Sequence, residues 1–116
     1  MDELLVDTDV FIDHLRAFRR IDPGEDRLAY SVVTRAELLS GREADRAGID
    51  LLLAPFSEHP VDRATAERAG LVRRTTQLAL PDALIAATAL ERGLELMTRN
   101  VGHFERVDGL SLRTPA

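Results

Sequence analysis

A chain of 116 residues is long enough for one domain with a single modest core. Its apolar fraction of 45% and charged fraction of 30% are typical of a globular protein and exclude a disordered one. The net charge of −5 argues against a protein that coats nucleic acid by electrostatics alone, but is compatible with an enzyme that binds phosphates locally. We therefore expect one domain over residues 1–116.

Two residue types are absent, and each absence excludes a class of site. Without cysteine there is no disulfide, thiolate metal site or cysteine nucleophile, so any metal must be bound by oxygen or imidazole. All fifteen basic residues are arginines, which removes the phosphate-binding lysine of several phosphoryl-transfer sites. No apolar stretch is long enough to span a bilayer and no basic signal sequence opens the chain, so a cytoplasmic protein is expected.

The first predicted element is a buried strand, Leu4 to Val6, that ends in two acids, Asp7 and Asp9. An apolar run without alternation is typical of a central parallel strand that is covered on both faces. A helix follows, for which Asp9 is the expected N-cap. Its apolar residues repeat at helical spacing and predict one buried stripe, formed by Phe11, Leu15 and Phe18. The charged segment 19–26, with Pro23 and Gly24, is predicted to be a surface loop.

The middle of the chain alternates short strands with helices. After a strand at 28–30, Thr34 and Glu37 form a Thr-x-x-Glu capping box that predicts a helix running toward Gly41. A helix over 42–54 is expected to bury Ala47, Leu51 and Leu52, and 56–61 is a weak candidate for an edge strand. Asp62 is expected to cap an alanine-rich helix that extends to about Leu78. That helix carries a cluster of four arginines, Arg63, Arg68, Arg73 and Arg74.

The C-terminal part is predicted to contain a buried helix and two strands. Pro81 fixes the first turn of a helix over 82–91 that is apolar on nearly every side and ends at Gly93. The remaining predicted segments are a strand at 94–98, a loop at 99–104 and a strand at 110–112. Alternating strands and helices imply a mainly parallel sheet of four to five strands between two layers of helices, a three-layer α/β/α fold.

In such a fold, four segments bring oxygen ligands to one edge of the sheet. Asp7 and Asp9 follow a strand, Glu37 and Asp82 are expected in first helical turns, and Asn100 follows another strand. Carboxylates at close range repel one another, and a hard divalent cation such as Mg²⁺ or Mn²⁺ is their natural counterion. Each residue also has a plainer explanation: a helix cap, a capping box, a helix dipole or a turn. Asp7 is the hardest to explain in that way.

The same residues carry a family resemblance that extends along nearly the whole chain. The matching segments are Leu-Val-Asp-Thr-Asp-Val-Phe-Ile-Asp at 5–13, Ser-Val-Val-Thr-Arg-Ala-Glu-Leu-Leu-Ser-Gly at 31–41, Pro-Asp-Ala-Leu-Ile-Ala-Ala-Thr-Ala at 81–89 and Thr-Arg-Asn-Val-Gly-His-Phe at 98–104. In this order they resemble the PIN-domain ribonucleases, and within them the VapC-like toxins of bacterial and archaeal toxin-antitoxin pairs. The resemblance implies a PIN-like domain and an endoribonuclease that depends on Mg²⁺ or Mn²⁺.

By this resemblance, Asp7, Glu37 and Asp82 are the catalytic and metal-binding acids, and Asp9 is a supporting metal ligand. Asn100, also assigned to the catalytic group, and His103 stand where the family often has aspartate, which favours one tightly bound metal. The implied reaction is in-line attack of a metal-bound water on an RNA phosphodiester, leaving a 5′ phosphate and a 3′ hydroxyl.

The resemblance also implies partners. A homodimer is expected, together with a small VapB-like antitoxin that wraps the groove of the toxin and inserts an arginine among the acids. Three arginines are candidates for contacts with the RNA backbone: Arg73, Arg74 and Arg99.

Two other classes of protein remain open from the residues alone. Asp7-Thr8-Asp9 also matches the Asp-x-Asp motif of haloacid-dehalogenase-like phosphatases, in which Asp7 would be the nucleophile and Asp9 the general acid. Such sites, like receiver-type signalling domains, normally use a lysine, which this chain lacks. The second class is a non-catalytic protein whose acidic edge only binds a partner or a metal.

Overall fold

The computed structural model describes residues 3–16, 26–42 and 44–115. Within them a single five-stranded sheet has the order β3-β2-β1-β4-β5, and every neighbouring pair is parallel. The strands are β1 (Glu3–Val6), β2 (Arg27–Ser31), β3 (Ser57–His59), β4 (Glu95–Met97) and β5 (Leu112–Arg113). The predicted parallel sheet is confirmed, and the weak strand β3 does lie at an edge.

Helices cover both faces of this sheet. They are α1 (Thr8–Leu15), α2 (Val32–Leu39), α3 (Arg46–Leu53), α4 (Arg63–Thr76), α5 (Leu80–Arg92) and α6 (Val101–Phe104). Successive side chains of β1 point to opposite faces of the sheet, so this strand contributes to two separate hydrophobic cores. Leu4 and Val6 pack with Phe11 and others on one face, whereas Leu5 packs with the residues of α4 and α5 on the other. The three-layer α/β/α prediction is confirmed.

The ends of two long helices follow the predicted chemistry. Asp62 caps α4 through its Oδ1, which accepts a hydrogen bond from the backbone N–H of Thr65 at 2.9 Å. Pro81 lies in the first turn of α5, and Gly93 ends that helix with a φ of 65°. Since positive φ favours glycine, Gly93 provides a low-strain stop for a helix whose buried face is mostly alanine.

Some other local predictions were wrong, and some concern residues that the structure does not describe. Leu15 is 52% exposed, so the apolar stripe of α1 does not extend that far, and the stripe position Phe18 lies outside the described residues. Most of the predicted loop at 19–26 also lies outside them. Helix α3 begins only at Arg46 and buries Ile49 and Leu53, while Leu51 is 77% exposed.

Two helix starts differ from expectation. Asp7, not Asp9, is the N-cap of α1, because the helix begins at Thr8 and Asp9 lies inside its first turn. Helix α2 likewise begins directly after β2, with Ser31 as its N-cap, so Thr34 lies inside the helix and forms no capping box. Glu37 is therefore in the second turn of α2.

The short helix α6 occupies the segment predicted as a loop. It begins just after β4, so it starts at the same edge of the sheet as α1 and α2. In the described part of the chain, no helix is long and apolar enough to cross a membrane.

Candidate active site

Asp7 is fixed at the carboxyl end of β1 by two hydrogen bonds. Its Oδ1 accepts from the backbone N–H of Thr8, and its Oδ2 accepts from the hydroxyl of Thr98, both at 2.9 Å. Thr98 directly follows β4, the neighbour of β1 in the sheet, and both side chains are buried. The parallel pairing of these two strands therefore sets the orientation of the Asp7 carboxyl group.

Burial is the main cause that raises the pKa of Asp7 from its ordinary 3.8 to about 8. The negative charges of Asp9 and Asp82 contribute in the same direction, and the hydrogen bond from Thr98 acts against them. A carboxyl group surrounded in this way keeps its proton at neutral pH. Without a cation, the pocket therefore cannot hold all of its carboxylates ionised.

Asp9, two residues farther on, has an unsatisfied oxygen. Its Oδ1 is buried and has no hydrogen-bond partner among the described residues. Burial raises the pKa of Asp9, while a hydrogen bond from Asp7 and the positive charge of Arg99 lower it. An unpaired buried acceptor is costly in a folded protein, so this atom marks a place for a cation or a hydrogen-bond donor.

Glu37 reaches the same place from α2. Its Oε1 accepts a hydrogen bond from the hydroxyl of Thr8 at 2.8 Å, and that hydroxyl is also 2.9 Å from the hydroxyl of Thr34. A threonine hydroxyl has one proton to donate. Because Thr8 donates to Glu37, Thr34 must be the donor to Thr8, and this relay fixes the position of the Glu37 carboxylate.

Asp82 and His103 form the opposite side of the site. Asp82 lies in the first turn of α5, and its Oδ2 is 3.0 Å from Nε2 of His103 on α6. The His103 ring lies edge-on to Phe104, with 5.4 Å between ring centroids. Asn100 precedes α6, is exposed, and donates its backbone N–H to the Thr98 hydroxyl at 3.0 Å.

A pocket of about 170 Å³ joins these side chains. Its lining residues are Asp7, Thr8, Asp9, Ile12, Glu37, Asp82, Asn100, His103 and Phe104. All five oxygen-bearing residues named from the sequence therefore meet at one edge of the sheet. Sequence reasoning missed Thr8 and Thr98 as organisers of the site, although Thr8 stands between the two acids of the Asp-x-Asp pattern.

The donor set fits a hard divalent cation. The pocket offers carboxylate and amide oxygens, an unpaired buried oxygen on Asp9 and an excess of negative charge. Among the described residues, no three acidic or histidine side chains are already arranged as a closed metal-binding group. Glu37 and Asp82 are instead directed to Thr8 and His103, so binding would require these side chains to turn toward a common point.

The three arginines proposed for RNA contacts lie outside the lining of this pocket. Arg73 and Arg74 are exposed in the last turn of α4, and Arg73 donates to the carbonyl oxygen of Leu78 at 2.9 Å. Arg99 is ion-paired with Asp13 on α1, at 2.6 Å.

A second, larger pocket of about 630 Å³ lies beside the first. It is formed by α1, α2 and α3, and it shares Ile12 and Glu37 with the acidic pocket. Leucine and isoleucine side chains make its lining mainly apolar, and Arg16 and Arg42 also line it. The acidic pocket therefore continues into an apolar groove.

The chain also matches known proteins in sequence and in fold. The PIN domain family matches residues 4–110. A ribonuclease of Mycobacterium tuberculosis, VapC10, is 41% identical over 123 aligned positions, which cover 92% of this chain and 90% of the relative.

Solved structures of toxin-antitoxin complexes share the fold. A complex from Klebsiella pneumoniae aligns with a TM-score of 0.78 and 32% identity, over 97% of this chain and 98% of that one. VapBC2 from Rickettsia felis, bound to a DNA fragment from its promoter, aligns with a TM-score of 0.84 over 98% and 99% of the two chains. At 17% identity, the second similarity shows the fold alone.

Proposed function

The chain belongs to the PIN-domain family, and we propose that it is a metal-dependent endoribonuclease that acts as the toxin of a VapBC-type toxin-antitoxin pair. The observation that carries the proposal is the convergence of four carboxylates, from Asp7, Asp9, Glu37 and Asp82, on one pocket. The ribonuclease with 41% identity over most of the chain supports RNA as the substrate.

Asp7, Glu37 and Asp82 are the residues that would hold Mg²⁺ or Mn²⁺, with Asp9 in support. When bound, such an ion supplies a nucleophilic water at neutral pH and neutralises charge on the phosphate under in-line attack. Asp7 must give up its proton for this, and the loss of repulsion beside a cation favours that ionisation. The bond from Thr98 keeps the Asp7 carboxylate in place, whereas Glu37 and Asp82 would turn toward the ion from their present bonds to Thr8 and His103.

The second oxygens of two of these carboxylates have a role of their own. Glu37 and Asp82 each line the pocket, so each can direct one oxygen to the ion and keep the other for the attacking water. These oxygens orient the attacking water or accept its proton. Attack on phosphorus with departure of the 3′ oxygen leaves a 5′ phosphate and a 3′ hydroxyl.

Asn100 and His103 distinguish this site from a fully acidic one. The Asn100 amide offers a neutral oxygen, and His103 is bonded to Asp82 instead of adding a carboxylate. Fewer negative charges bind fewer cations. We therefore propose one tightly bound metal, with any second metal arriving together with RNA.

The groove next to the acids suits an antitoxin segment. The toxin-antitoxin complexes with this fold support a VapB-like partner, and a peptide with apolar side chains fits the lining of the 630 Å³ pocket. Because this pocket shares Glu37 with the acidic one, a basic side chain at the end of such a segment would reach the carboxylates. A homodimer remains part of the proposal.

The function is tested by incubating the protein with structured RNA and with a generic phosphate monoester, each with and without Mg²⁺ or Mn²⁺. Cleavage of RNA alone, dependent on metal and lost in Glu37→Gln, is the expected result. The matched control is Glu67→Gln, at an exposed glutamate of α4. Hydrolysis of the monoester would instead favour the phosphatase with Asp7 as nucleophile, and no turnover of either substrate would favour a binding module.

Metal binding predicts a separate effect on thermal stability. At about ten times its dissociation constant, Mn²⁺ adds about 1.4 kcal/mol to the free energy of unfolding, or about 5 °C in Tm for a domain of this size. Asp82→Ala should lose most of this shift, whereas Asp108→Ala, at an exposed aspartate outside the pocket, should keep it. Equal shifts in wild type and Asp82→Ala would remove Asp82 from the metal site.

A further inference from the structure

Arg99 and Asp13 form an ion pair between two segments that border the acidic pocket. Arg99 follows β4 and directly precedes Asn100, while Asp13 lies near the end of α1. Their Nη1 and Oδ2 atoms are 2.6 Å apart. The Asp13 side chain is only 8% exposed, whereas that of Arg99 is 46% exposed.

This asymmetry of exposure makes the pair different from an ordinary surface salt bridge. Two exposed partners gain little from pairing, because water solvates each of them alone. A buried carboxylate left without a counter-charge is costly. In the described part of the chain, Arg99 is the cation paired with Asp13, so its guanidinium is committed to that carboxylate.

The pair also lies next to a predicted metal ligand. Asp13 is four residues after Asp9 on α1, so the two acids lie on the same face of that helix. The charge of Arg99 acts on Asp9 as well as on Asp13. Arg99 directly precedes Asn100 and the short helix α6. Its ion pair with Asp13 therefore links that segment to α1, the helix that carries Asp9.

We propose that Arg99 is a positioning residue of the nuclease site and does not bind the RNA backbone: by pairing with Asp13, it holds the segment carrying Asn100 and His103 against α1. This inference rests on the proposed function. An arginine that contacts phosphate needs free guanidinium donors, whereas Arg99 already directs Nη1 to a buried acid. A positioning residue should affect kcat and leave RNA binding unchanged, whereas a phosphate contact should affect RNA binding.

The test compares Arg99→Gln, Asp13→Asn and the double variant with wild type, and uses Arg63→Gln as a control at an exposed arginine outside the pocket lining. Each single variant should lower kcat about 10-fold, in the range of outer-shell partners of metal sites, with KM changed less than about 2-fold. The double variant should lose no more than the worse single variant. Arg99→Lys should restore most of kcat, because it keeps the charge.

RNA binding is measured without metal in the cleavage-deficient Asp7→Asn background. Adding Arg99→Gln should leave the dependence of the dissociation constant on salt unchanged, whereas losing a phosphate contact would lower the logarithmic slope by about 1. The proposal would be overturned if Arg99→Gln lowered the salt slope of RNA binding and raised KM. It would also be overturned if the kcat losses of Arg99→Gln and Asp13→Asn added up in the double variant, or if kcat did not change in the single variants.

Thermal stability gives a second measure of the ion pair, which does not depend on catalysis. Arg99→Gln strands a buried carboxylate and should lower Tm more than Asp13→Asn does, and the double variant should recover part of the loss. If Arg99→Gln does not fold, the double variant and Asp13→Asn still supply the kinetic comparison. If wild type itself cleaves no RNA, the proposed function fails. The Tm values of the single and double variants and the salt slope of RNA binding would still test whether Arg99 pairs with Asp13 and whether it contacts RNA.

Discussion

Asp7→Asn is expected to reduce metal-dependent RNA cleavage by more than about 100-fold, because even outer-shell partners of a metal site contribute about 10-fold to 100-fold. The amide retains the shape of the carboxyl group but cannot carry its negative charge to a cation. Its Oδ1 can still accept from the Thr8 N–H, so the start of α1 should be preserved. Initial rates on a fluorescent RNA, with and without Mg²⁺, measure the loss.

Asp108→Asn is the control for that experiment, since it makes the same chemical change at an exposed site. Circular dichroism should show the same helix content in both variants. If Asp7→Asn keeps full Mg²⁺-dependent activity, Asp7 does not act as a metal ligand. If both variants lose activity equally, the cause lies outside the acidic pocket.

The layered fold could be predicted because its signals are local. The run Leu4 to Val6 lacks alternation since both of its faces are covered, and the two cores meet it from opposite sides. Gly93 and Asp62 end or begin helices through chemistry that depends only on their neighbours. Helix α3 was predicted in the wrong phase, because three successive leucines at 51–53 fit more than one helical face.

The convergence of the acids was predictable, but the bonds that orient them were not. Asp7 is the cap of α1 because it is the single residue between β1 and α1, which gives its carboxylate a structural and a chemical role. Ser31 displaced Thr34 as the cap of α2 in the same way, and Thr34 instead bonds to Thr8. These partners are separated by 26 residues, and no local pattern reveals the contact.

Longer-range contacts escaped prediction for the same reason. Thr98 bonds to Asp7 across 91 residues of sequence, and this contact exists only because β4 returns beside β1. The pairing of Arg99 with Asp13 likewise needs the β4 segment to meet α1. From the sequence, Arg99 reads as one more arginine available for RNA, whereas the structure shows it occupied.

Asp7 should also make the metal-free protein less stable as the pH rises. Its pKa is about 8 in the folded protein and close to 3.8 in the unfolded chain, so the folded state holds the proton more tightly. The stabilising contribution is fully present below pH 3.8 and is lost as the pH rises toward 8. The slope is at most about 1.4 kcal/mol per pH unit for one proton.

Asp7→Asn removes this proton linkage, so its stability relative to wild type should increase between pH 5 and pH 7.5. Urea unfolding with EDTA at both pH values measures the difference, and the rise of about 2.5 pH units gives the variant an advantage of up to about 3 kcal/mol. Carboxylates with lowered pKa act in the opposite direction, as Glu58 does beside Arg35, but they are common to both proteins and cancel in the comparison. A difference that stays constant with pH, or that is larger at pH 5, would show that Asp7 is ionised in the folded apo protein. In that case burial and the charges of Asp9 and Asp82 would not be enough to keep the proton on Asp7 in the absence of a cation.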